Sequence, residues 1–181
     1  MNVDTLQEEI VYQVGGENQM REGSLIYNAK YNPITSQVVF TGRQNMIGMN
    51  TGHWGTALAT GNTHKGVLNG CELTWSSDGK EMFQINPGGR FNDGHIVRID
   101  PKTLEVESLV DLEGQFSHEY WPSQSSNGEY LVFGASRGPK EHTHDAADYE
   151  IFLWKYGSDP LKATRLTFHT GNDNWPDVFI E

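Results

Sequence analysis

The chain has 181 residues, with 24 Asp and Glu against 13 Lys and Arg, a formal charge of −11. Nucleic acid and anionic membrane surfaces both demand clustered Lys and Arg, so this balance argues against either as a partner. Membrane insertion is not expected, because no apolar run approaches the roughly 20 residues of a spanning helix. Twenty glycines, five tryptophans, seven tyrosines and eight phenylalanines point to many short strands joined by tight turns.

In chain order the sequence reads as strands and turns without helical periodicity. Residues 1–16 carry an apolar strand that leaves through Gly15-Gly16, and they read as part of a blade. Leu25–Tyr31 and Gln37–Gly42 open a first full blade, over roughly residues 24–60. Its outer half fits two registers, which place either His53 or His64 in the connecting loop. A second blade, over 72–112, takes Glu72–Trp75, Lys80–Ile85, His95–Asp100 and Val106–Leu112. A third, over 120–168, takes Tyr120–Gln124, Glu129–Gly134, Tyr149–Lys155 and Ala163–Phe168. Residues 175–181 then read as the innermost strand of another blade.

Internal repeats carry this reading. Thr5–Gly16 matches Thr103–Gly114 as a polar turn, an apolar strand and a glycine exit. Trp75-Ser76-Ser77-Asp78-Gly79 matches Gln124-Ser125-Ser126-Asn127-Gly128, where Asp-Gly and Asn-Gly suit a two-residue hairpin turn. Tyr120-Trp121-Pro122-Ser123 matches Asn174-Trp175-Pro176-Asp177, Trp-Pro on Trp-Pro. The anchors recur every roughly 43 to 54 residues, the period of a propeller blade of four antiparallel strands. The expected fold is an all-β propeller of about three complete blades with partial terminal blades, completed by another protein chain or a second copy.

The segment W-S-S-D-G-K-E-M-F followed by H-I-V-R-I-D, together with Arg165-Leu166-Thr167 and Gly171–Pro176, resembles the TolB-like propeller repeat. That resemblance implies a periplasmic or extracellular setting, although the first residues, MNVDTLQEEI, show no secretory leader pattern. It also extends distantly to oligogalacturonate lyase, whose propeller implies a divalent metal held by His and Gln. Fold likeness of this kind leaves function open, since one scaffold serves docking platforms, peptidase gates and lyases.

Propeller topology puts the loops between second and third strands on the same face as the links between blades. His95, His118, His142, His144 and His169 all map to that face, whereas the opposite face shows plain turns. Binding groups concentrate on loops held by a rigid scaffold, so the histidine-rich face is the expected binding face. In Ser136–Asp148, His142, His144 and Asp145 supply donors suited to a transition metal, with His118 or His169 as further ligands. Glu119 and Asp173 follow equivalent positions and could line a channel mouth, while Trp54, between glycines, is the candidate exposed aromatic. Trp121 and Trp175 read as packing between blades, and Cys71 as a buried structural thiol. The leading expectation is a non-catalytic module that docks a protein or glycan. The alternative is a metal-assisted lyase acting on acidic polysaccharide, with Arg43, Arg90 and Arg137 meeting the anionic substrate.

Overall fold

The structure, a computed structural model, describes residues 26–43, 54–61, 63–85, 95–137, 148–168 and 170–180. Within them are three four-stranded antiparallel sheets, each built from strands consecutive in sequence. The first blade comprises β1 (Ile26–Asn32), β2 (Gln37–Arg43), β3 (Trp54–Thr60) and β4 (Thr63–Asn69). The second comprises β5 (Cys71–Trp75), β6 (Met82–Ile85), β7 (Ile96–Ile99) and β8 (Val106–Val110). The third comprises β9 (His118–Gln124), β10 (Tyr130–Ser136), β11 (Glu150–Lys155) and β12 (Thr164–Arg165).

The first blade runs to Asn69, nine residues past the boundary at 60 expected from sequence. Its register pairs Ala59 with His64 and Thr60 with Thr63, so the β3–β4 turn is tight and lies on the hairpin face. His64 therefore sits in a strand, and His53 falls in the β2–β3 connection, outside the described residues. The ambiguity has a physical source: Ala57, Leu58 and Ala59 are all buried, which removes the in–out alternation that would fix a register.

The hairpin turns differ from the expected two-residue form. Gly79 N–H donates to Ser76 O at 2.9 Å, and Ser76 N–H donates to Glu81 O at 2.9 Å, giving a longer turn with only the glycine at positive φ. The Asp78 carboxylate accepts from Ser76 Oγ and from Lys80 N–H, at 2.8 and 3.1 Å, and so stabilises the longer loop. The third blade reproduces this arrangement with Ser125, Asn127 and Gly128.

The hydrophobic core lies between blades. Val39 and Leu58 of the first pack on Leu73, Met82, Val97 and Ile99 of the second. Phe83, Ile96 and Val110 of the second pack on Leu131, Phe133 and Trp154 of the third. Polar staples tie the same junctions: Asn32 Nδ2 donates to Gly79 O at 2.8 Å, and Tyr156 Oη bonds Glu81 Oε2 at 2.6 Å. Beyond β12 the chain returns to the inner edge of the third blade. There Ser123 Oγ bonds Asp177 Oδ1 and Ser126 Oγ bonds Ile180 O, both at 2.8 Å. These contacts place residues 175–180 beside β9 as the next inner segment.

Candidate functional site at the convergence of the inner strands

The inner strands β1, β5 and β9 and the segment following β12 each carry a non-glycine residue in the left-handed region: Asn28 (φ 50°), Glu72 (56°), Trp121 (50°) and Trp175 (57°). The first three lie at register shifts, between Tyr27 and Lys30, between Cys71 and Thr74, and opposite Val132 to Gly134. The four are equivalent positions of the repeat. A bulge of this kind re-aims its side chain, and strained backbone of this kind concentrates at functional sites. Pro122 and Pro176 follow the two tryptophans; lacking an N–H, proline fits a strand where the ladder is already interrupted.

The four residues face one another across an open cleft of about 230 Å³, which Lys30, Ser123 and Asp177 also line. Trp121 is buried and meets Trp175 with ring centroids 5.2 Å apart, whereas Trp175 remains 58% exposed. Trp121 also packs edge-on to Tyr149 at 4.8 Å, over Gly134, where a Cβ would come within 3.1 Å of the indole. Asn28 Nδ2 donates to Glu72 Oε1 at 2.7 Å, across the junction of the first two blades. Burial pushes the Glu72 carboxyl up to about 7, against the smaller opposing effects of the Lys30 charge and the Asn28 bond. Beneath it, Cys71 Sγ and Tyr120 Oη are 2.6 Å apart. Burial raises the Cys71 thiol to about 12, partly offset by that bond, so the sulfur keeps its proton at neutral pH. The cleft thus combines an aromatic wall, hydrogen-bonding groups and a carboxyl poised near neutrality, a composition suited to binding.

The histidine-rich face receives no such support. His95 immediately precedes β7 and is 4% exposed, with Nδ1 3.9 Å from Asp111 Oδ2. His118 opens β9 and is also buried, its ring against Tyr120 and Tyr149 at 6.0 and 6.2 Å. Glu119 lines no channel: it is fully buried and its Oε1 accepts Leu112 N–H at 2.5 Å. Asp173 donates its backbone N–H to Tyr149 O at 3.0 Å. Trp54 begins β3, paired with Arg43. His142, His144, Asp145 and His169 lie outside the described residues. Among the described residues no three metal-ligating side chains converge, and the expected ligand set is represented there by buried His118 alone. The residues that do converge, Asn28, Glu72 and Trp175, were not singled out for binding from sequence. Their equivalence was available in the repeat offset, but their left-handed backbone was not.

No protein-family model and no curated protein matches the chain. Solved structures do. A putative TolB from Agrobacterium tumefaciens superposes with TM-score 0.60 at 14% identity, covering 78% of this chain and 48% of that one. TolB from Acinetobacter baumannii gives 0.57 at 16%, covering 77% and 31%. An oligogalacturonate lyase in complex with manganese gives 0.56 at 15%, covering 77% and 40%. The chain spans less than half the length of each of these neighbours. The fold is that of β-propeller blades. Its likeness is to the TolB-like propellers, at a distance that carries architecture and not activity.

Proposed function

We propose that this chain is a non-catalytic binding module that docks a protein segment or glycan in the cleft where its inner strands converge. The observation that carries this reading is the set of four equivalent left-handed residues: one repeated backbone presents an amide, a carboxyl and two indoles, from Asn28, Glu72, Trp121 and Trp175, to one cavity. A scaffold that repeats the strain while varying the side chain is arranged for recognition. Trp175 offers a ring face for stacking, and Asn28, Ser123 and Asp177 offer directional bonds around it. The cleft replaces the histidine-rich face as the site of docking. Likeness to TolB supports a periplasmic setting within the same reading.

Peptide and glycan arrays probed with the labelled chain and with its Trp175→Ala variant test the proposal. Ligands retained by the wild type and lost by the variant are expected. Arrays on which the two chains capture the same ligands equally would remove the cleft from the account.

A further inference from the structure

Resting on that reading, we infer that the cleft takes an organic cation, an alkylammonium or guanidinium group seated between Glu72 and Asp177 against the Trp175 ring. Geometry carries the assignment. Glu72 and Asp177 line the cavity from the second blade and from the segment following the third, and the exposed Trp175 lines it with them. An aromatic face flanked by carboxylates attracts a cation through the ring quadrupole and the charges together. Asp177 is held in place by Ser123 Oγ at 2.8 Å and by the Val178 N–H at 2.9 Å, both to Oδ1. Glu72 is held by Asn28 through Oε1. Both carboxylates are thereby positioned before a ligand arrives, which reduces the ordering cost of binding. The net charge of −11 adds long-range attraction of the same sign.

Occupancy then follows the proton on Glu72. The groups facing it are Lys30 from β1, Cys71 from its own strand, Tyr120 from β9 and Asp177 across the cleft. Burial raises both Cys71 and Tyr120, so they stay neutral near pH 7. Fully ionised, the three charged cleft groups sum to minus one; with Glu72 protonated they sum to zero. A cation is accordingly bound more tightly above the Glu72 midpoint than below it.

Agmatine, which carries one ammonium and one guanidinium, serves as the probe, with N-acetylglucosamine as the uncharged comparison. Binding is followed by calorimetry from pH 6 to pH 8, for the wild type, Glu72→Gln and Trp175→Ala. Agmatine affinity is expected to rise roughly tenfold across that range, the change in ionised fraction of a carboxyl with its midpoint near 7. Glu72→Gln, whose amide oxygen can still accept from Asn28, should flatten the profile, and Trp175→Ala should weaken binding at every pH. A flat wild-type profile, or a profile unchanged by Glu72→Gln, overturns the inference. Trp175-dependent binding of the sugar without agmatine binding overturns the cation while leaving docking in the cleft intact. Loss of Trp175 dependence on the arrays, by contrast, removes the docking reading itself.

Discussion

Asn28 Nδ2 donates to Glu72 Oε1 at 2.7 Å, joining the left-handed residues of two successive blades by a single bond. The bond favours ionised Glu72, yet burial outweighs it and the carboxyl sits near 7, above its ordinary 4.5. A carboxyl whose folded value is raised binds more protons in the native state than in the unfolded one. It therefore destabilises the fold as pH rises from about 4.5 through 7. Glu72→Gln should be more stable than the wild type at pH 8, by up to about 3 kcal/mol, and near parity at pH 4.5. Urea denaturation at the two pH values checks this, and a pH-independent difference would contradict it.

Cys71 should resist alkylation in the folded chain. Its thiol is raised to about 12 by burial and lies against Tyr120 Oη. At pH 8 the thiolate fraction is then roughly one in ten thousand, so modification by iodoacetamide should proceed at least about a hundredfold slower than in urea. Mass spectrometry over time reads the rate. Equal rates with and without urea would show that the thiol is not buried as described.

Two glycines separate backbone strain from contact between blades. Gly79 (φ 68°) lies against Asn32, whose Oδ1 would be 2.6 Å from an added Cβ, whereas Gly61 (φ 56°) faces open space. Gly61→Ala carries only the left-handed penalty of about 1 kcal/mol, while Gly79→Ala adds displacement of the Asn32 staple and should cost about 2 kcal/mol or more. Denaturant midpoints at constant slope measure both. Equal losses would mean that the Asn32–Gly79 contact adds nothing to the junction.

The blades were legible because the repeat couples turn chemistry to strand spacing, as in Ser76–Gly79 and Ser125–Gly128. The turn length was less so, since the serine and Asx side-chain bonds that lengthen it are tertiary outcomes of a local motif. The site was largely hidden. His118 looks like a loop residue in sequence but begins β9 and packs inward, and His95, read at the head of a strand, is buried just before β7, which turns both from surface ligands into core. Glu and Trp do not ordinarily adopt positive φ, so nothing in Glu72 or Trp175 announces a bulge. Trp175 was read as packing because it repeats Trp121; the structure buries the first of the pair and exposes the second.

The central claim is that ligand enters the cleft between the inner strands, and the five indole N–H resonances test it most directly. With the tightest array ligand titrated into nitrogen-15-labelled protein, the Trp175 signal should move most and that of its ring partner Trp121 next. The signal of Trp154, in the core between blades, should stay in place. Movement of the Trp54 signal with Trp175 and Trp121 unchanged would put the ligand elsewhere and contradict the account.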